Sequence, residues 1–177
     1  MVLVGAANRR YEKYQQTILA RMRSAGVSNI IFAGQQANVI PYLRKMRVFV
    51  MLGTDHGCPN ASLEAMSLGL PIVTARHGGT TEQVEDRING FLVSEDDPAE
   101  MAHRVRTLLT NPEMLHRFGE ASIRIARERF SMELMVKRYT VLLNPDAAAA
   151  ASGSSATQPI PVSVTQAVYG GKQPCIN

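Results

Sequence analysis

Five short apolar runs set the fold class: Val2-Leu3-Val4, Ile30-Ile31-Phe32, and the segments 48–52, 71–74 and 90–93. None alternates apolar with polar residues, so each is expected to be a strand buried on both faces. Helical stretches separate them. Residues 8–25 carry Tyr11, Tyr14, Ile18, Leu19 and Met22 at three- and four-residue steps, and Gly26 follows as a C-cap glycine. Residues 39–46 read as a shorter helix, and 60–68 as another, ended by Gly69 with Pro71 two residues on. Such strand–helix alternation requires right-handed βαβ crossovers, so the class is α/β with an open parallel sheet of about five strands.

Beyond Val93 the pattern turns helical. Asp97-Pro98-Ala99-Glu100 offers an N-cap, a proline at the first helical position and an acid at the third, for a helix reaching about Leu109. Asn111-Pro112-Glu113 repeats that signal for a helix to about Arg129, and Ser131 caps a third. These helices are expected to pack back over the sheet. From Pro145 the composition shifts to a run of alanines at 147–151, then Ser-Gly-Ser-Ser, Pro159 and Pro161, with only Asp146 and Lys172 charged. The expected organisation is one folded domain over 1–144 and a low-complexity, disordered tail over 145–177.

Composition excludes several function classes. The net charge of +4 conceals an alternation: residues 1–50 carry +7, residues 51–100 carry −7, and 101–150 carry +3. A folded domain with differently charged faces fits this better than a nucleic-acid-binding arm. Five Phe, five Tyr and no Trp leave few stacking platforms for single-stranded nucleic acid. Two cysteines, Cys58 and Cys175, form neither a disulfide framework nor a Cys-x-x-Cys motif. No basic, apolar leader and no apolar run long enough to span a bilayer is present, so the expected compartment is the cytoplasm.

Chemistry concentrates in Asp55-His56-Gly57-Cys58-Pro59-Asn60-Ala61-Ser62-Leu63-Glu64, where a strand ends, a Gly/Pro loop turns and a helix begins. In open parallel sheets, ligands lie beyond the carboxyl ends of the strands. A helix N-terminus there presents free N–H groups and a positive dipole end to phosphate. Asn60 and Ser62 are the candidate caps. Glu64, read as part of the first turn, can accept two hydrogen bonds from a vicinal diol such as a ribose. Asp55, His56 and Cys58 lack a second ligand pair at zinc-like spacing, so no metal and no cofactor is expected.

His56 to Met66, then Gly69-Leu-Pro-Ile-Val-Thr74, Gly78-Gly79-Thr80-Thr81-Glu82-Gln83-Val84 and Asn89-Gly90-Phe-Leu-Val93 resemble, in order and register, the C-terminal half of a family 4 retaining glycosyltransferase of the GT-B fold. The resemblance runs from Met1 to about Leu143. It implies a Rossmann-like domain that binds a nucleotide-sugar as substrate. In that family two glutamates eight positions apart frame the sugar nucleotide, the second holding the ribose diol and the first lying near the sugar. The second maps onto Glu64. The first maps onto His56, a departure, because a histidine cannot act as a carboxylate that balances positive charge at the anomeric carbon. His56 either donates to a sugar hydroxyl or phosphate oxygen in a changed catalytic role, or is a solvated loop residue.

The same resemblance places Gly57, Cys58, Asn60, Ser62 and Leu63 along the nucleotide-sugar. Gly79 allows close backbone approach, with Thr80 or Glu82 bonding sugar hydroxyls; the alternative is a turn that needs positive φ at the glycines. Gly34 ends the strand where the base rests, and Phe32 is expected in the core. Arg44, Lys45 and Arg47 form a basic cluster, either a solvated face or a contact with a membrane surface or acceptor domain.

The family's half-domain normally opens with a further central strand and a loop whose Arg and Lys clamp the diphosphate, and this chain starts after both. Arg9 and Arg10 do not match that loop. The missing strand would lie between Val2-Leu3-Val4 and 48–52, leaving two inner edges unpaired or forcing them together. Two functions are compatible with this reading. One is the nucleotide-sugar-binding part of a retaining glycosyltransferase acting on an unknown glycan or lipid-linked acceptor, completed by a chain or domain supplying the N-terminal half. The other is a non-catalytic remnant that binds a nucleotide weakly at best.

Overall fold

The computed structural model describes residues 1–5, 12–51 and 57–143. The expected 145–177 tail, Arg9, Arg10, Asp55 and His56 lie outside them. Among the described residues, five strands and seven helices follow one another as β1 (Val2–Val4), α1 (Glu12–Ser24), β2 (Ile31–Gly34), α2 (Ile40–Leu43), β3 (Phe49–Met51), α3 (Asn60–Ser67), β4 (Ile72–Ala75), α4 (Thr80–Gln83), β5 (Gly90–Val93), α5 (Pro98–Thr110), α6 (Pro112–Phe130) and α7 (Met132–Leu143). Met1–Met135 form one compact unit, and the described remainder of α7 belongs to a second. No helix among the described residues is long and apolar enough to cross a membrane.

Every strand pairing is parallel, as alternation with helices requires. The strands form two sheets, β1–β2 and β3–β4–β5, the unpaired-edge outcome of the two expected where a central strand is missing. Among the described residues, β1 hydrogen-bonds only to β2 and β3 only to β4, and no described segment supplies a neighbour common to both. The inner edges therefore stay unpaired among the described residues.

Burial follows that division. β4 is buried along its whole length, and three of the four residues of β5 are buried. Ile72 points into a cluster with Leu43, Ala65, Met66, Val84 and Ile125, while its neighbour Val73 points into another with Phe91, Met101, Leu108 and Phe118. Two-sided burial is what a continuous apolar run under helices demands. The expectation fails for β1 and β2, where Val2, Leu3, Ile31 and Phe32 are exposed. α1 fully buries none of its residues, and Phe32 is a surface residue instead of a core one.

Helix ends obey local chemistry. Gly26 and Gly69 adopt φ of 66° and 78°, the left-handed conformation that closes α1 and α3. Asp97 accepts from the Glu100 amide and Asn111 from the Met114 amide, capping α5 and α6. Both helices pack back as expected, α5 against β4 and β5, and α6 against α3. The helix read over 39–46 is shorter, with α-helix only at Ile40–Leu43 before a turn.

Candidate nucleotide-sugar site

β3 and β4 run parallel, so the loops leaving their carboxyl ends emerge on one edge. The loop after β3 leads through Gly57, Cys58 and Pro59 into α3; the loop after β4 leads through Gly78 and Gly79 into α4. These loops touch. A Cβ built on Gly79 would stand 1.7 Å from the Gly57 carbonyl oxygen and 3.1 Å from the Cys58 Cα. Gly79 itself has an ordinary φ of −67°, so the position needs glycine for space and not for backbone conformation. The turn that does need a positive φ is one residue earlier, at Gly78, with φ of 52°.

The start of α3 departs from expectation. Its N-cap is Pro59, and no side chain caps it. Neither Asn60 nor Ser62 takes that role: Asn60 is the first helical residue, exposed, and Ser62 the third, fully buried. Among the described residues, no side chain partners the leading N–H groups, the condition under which a helix N-terminus accepts an anion. Glu64 is the fifth helical residue, one turn further than the first-turn position expected, and it is exposed. It lies four positions after Asn60, so the two share one face, about 6 Å apart along the axis. Leu63 packs partly into the core, which leaves only its backbone for the edge.

Two candidate contacts turn inward. Ser62 Oγ donates to the Gln83 Oε1 and lies 2.9 Å from the Pro59 carbonyl oxygen. Thr80 is 1% exposed, and its hydroxyl lies 2.9 Å from the Ala75 carbonyl oxygen and 2.6 Å from that of His77. Both hydroxyls are therefore engaged within the protein and brace the loops. Both lie on helix faces shared with core residues, Ser62 with Ala65 and Met66, Thr80 with Val84. Glu82 is exposed; its amide donates to the Gly79 carbonyl at 3.2 Å and its carbonyl accepts from Arg129 Nη2 at 2.7 Å. Arg129 also meets Glu85 Oε1 at 2.6 Å, tying the end of α6 to the residues after α4.

A buried polar chain that sequence reasoning missed runs beneath these loops. Gln83, fully buried, donates through Nε2 to the Pro59 carbonyl at 3.1 Å and to Cys58 Sγ at 3.2 Å. Its own carbonyl accepts from Asn89 Nδ2 at 3.2 Å, and Asn89 Oδ1 accepts from the Glu85 amide at 2.8 Å. The Asn89 carbonyl in turn accepts from Ser122 Oγ at 3.3 Å on α6. No buried side-chain nitrogen or oxygen among the described residues lacks a partner. Cys58 remains exposed as a free thiol.

On the other sheet, Gly34 adopts φ of 67° at the end of β2, and its carbonyl accepts from the Gly5 amide at 2.8 Å. The basic cluster Arg44, Lys45 and Arg47 is exposed, at the opposite, amino edge of β3 and β4. Arg44 and Arg47 line a cavity of about 430 Å³ there, with Leu43, Met46, Leu70 and Ile123.

The family profile described as "Glycosyl transferases group 1" matches residues 1–111. The chain belongs to this family. Among curated relatives of this group 1 glycosyltransferase chain, the N-acetyl-alpha-D-glucosaminyl L-malate synthase of Bacillus anthracis is 27% identical over 127 residues, covering 71% of this chain and 33% of the relative. Anabaena Alr3699/HepE, solved in complex with UDP, superposes with a TM-score of 0.78 at 24% identity, over 81% of this chain and 40% of its own. The C-terminal domain of the glycosyl transferase group 1 family protein LpcC from Francisella tularensis superposes with a TM-score of 0.67 at 21% identity, over 74% of this chain and 69% of its own. These likenesses establish the fold, and the α/β class of GT-B type is the one found. The group 1 chain spans about a third of the length of the Bacillus relative.

Proposed function

We propose that this chain is the nucleotide-sugar-binding, C-terminal half of a family 4 retaining glycosyltransferase that passes a sugar to a glycan or lipid-linked acceptor. The observation that carries this reading is a helix N-terminus that no described side chain caps and an exposed carboxylate, Glu64, on one helix at the carboxyl edge of β3 and β4. The amides and dipole of α3 suit a diphosphate, and Glu64 accepts from the ribose diol one turn along. Gly57, Cys58 and Asn60 contribute backbone at the phosphates, Gly79 lets the sugar approach, and Glu82 accepts from a sugar hydroxyl. Gly34 closes the strand beside the base. His56, where the family carries its first glutamate, donates to a sugar hydroxyl or a phosphate oxygen.

Transfer then relies on stabilising charge that builds on the departing diphosphate, which fixed N–H groups do without reorganising. Acceptor binding is assigned to a second domain or chain, corresponding to the part of the relatives that this chain does not span. The Anabaena protein, solved with UDP and with UDP-glucose, makes uridine diphosphate sugars the first to try. Calorimetric titration with UDP-, GDP- and ADP-glucose tests the proposal. Saturable binding of one of them is expected, without transferase turnover by the chain alone. Absence of binding by all three removes the reading.

A further inference from the structure

We infer that Gln83 is a positioning residue of this site, whose buried carboxamide fastens residues 57–59 and the start of α3 onto α4 and so fixes the amides that face the diphosphate. The inference takes its ligand from the proposed function, but its geometry stands independently. Gln83 holds the carbonyl of Pro59, the N-cap of α3, and the sulfur of Cys58 with one nitrogen, while its oxygen receives the Ser62 hydroxyl. Three successive features of the approach to α3 thus hang on one side chain from another loop. A carboxamide offers donor and acceptor together from one planar group; a carboxylate cannot donate, and a thioether does neither well.

The surroundings make the arrangement specific. Gln83 cannot drift, because Asn89 holds its carbonyl from below. The loops cannot separate and re-pack with a larger residue between them, because Gly79 already lies against the Gly57 carbonyl. α4 has only four residues and no side-chain cap, so it gains its rigidity from these bonds and from the Arg129 contact with the Glu82 carbonyl. A general core role for Gln83 would weaken every ligand equally. A positioning role weakens those that carry phosphate.

The test uses the chain with Cys175→Ser, leaving Cys58 as its one thiol, alone and with Gln83→Met or Ser62→Ala. Two quantities are followed: the rate at which a chromogenic disulfide reagent modifies Cys58, and calorimetric affinity for UDP and for uridine. Where the wild-type chain prefers another base, its diphosphate and nucleoside replace them. Gln83→Met is expected to speed modification of Cys58 and to weaken UDP on the order of tenfold, the effect of losing about one hydrogen bond to a fixed group, with uridine unchanged. Should Gln83→Met not fold, Ser62→Ala, which keeps the bond to Pro59, moves both readings the same way by less. Unchanged thiol rate, or equal loss for UDP and uridine, overturns the inference. If the wild-type chain binds no nucleotide at all, the proposed function fails, and the thiol rate alone decides whether Gln83 is the clamp.

Discussion

The carbonyl oxygen of Gly57 and the α-carbon of Gly79 lie so close that a methyl group on the latter would stand 1.7 Å from the former. The loops that follow β3 and β4 are therefore packed backbone on backbone. Gly79→Ala forces them apart, and overpacking of this kind costs about 1–3 kcal/mol. Urea unfolding is expected to show that loss, accompanied by weaker nucleotide-sugar binding. Wild-type stability in Gly79→Ala would mean that the loops do not touch in solution.

Glu64 predicts a dissociation of binding from stability. Its side chain is exposed, so Glu64→Ala is expected to shift unfolding by no more than about 0.5 kcal/mol. Hydrogen bonds to a charged acceptor are worth roughly 1.5–3 kcal/mol, so nucleotide-sugar affinity is expected to fall at least tenfold. Calorimetry beside a thermal melt separates the two. Retained affinity would strip Glu64 of its ribose.

Thr80 predicts the reverse. Its buried hydroxyl lies against two backbone carbonyls, of Ala75 and His77. Thr80→Val leaves both without that partner and is expected to lower stability by about 1–2 kcal/mol while nucleotide-sugar affinity stays near wild type. A variant that melts normally but no longer binds would place the hydroxyl on the ligand.

Arg87 predicts a gain. It adopts φ of 64° in the turn before β5, a left-handed conformation that costs a non-glycine residue about 1 kcal/mol. Its ion pair with Asp86, at 3.8 Å and largely exposed, offsets little of that. Arg87→Gly is accordingly expected to raise unfolding stability by up to about 1 kcal/mol, read from the urea midpoint. A lower midpoint would assign Arg87 a contact beyond the pair with Asp86.

Much of the local structure was legible because local chemistry decides it. Gly69 with Pro71 beyond it ends α3, Asp97 and Asn111 cap their helices, and residues 90–93 form the strand expected of them. Side-chain direction at the site was legible too, in principle. Ser62, Ala65 and Met66 recur at three- and four-residue spacing, which puts Ser62 on the buried face and Glu64 outside it. The clamp was not legible, since Gln83 meets Ser62 and Pro59 across 21 and 24 residues and no local pattern announces such a pairing. The division into two sheets was foreseen as one of two outcomes of a missing central strand, but the exposure of β1 and β2 was not, because an apolar run reports that a strand is sticky and not whether a neighbour is present to cover it. Ile31 and Phe32, fully apolar yet exposed, show that difference.

The linked polar side chains beneath the loops have a consequence for how the molecule comes apart. Ser62, Gln83, Asn89 and Ser122 join α3, α4, the approach to β5 and α6 by bonds that each leave a buried group bare if broken alone. Partial opening at the carboxyl edge of β3 and β4 is thereby penalised, and amide exchange at the beginning of α3 and in the middle of α6 should share one free energy, a single cooperative unit in which the rear helix keeps watch over the front door.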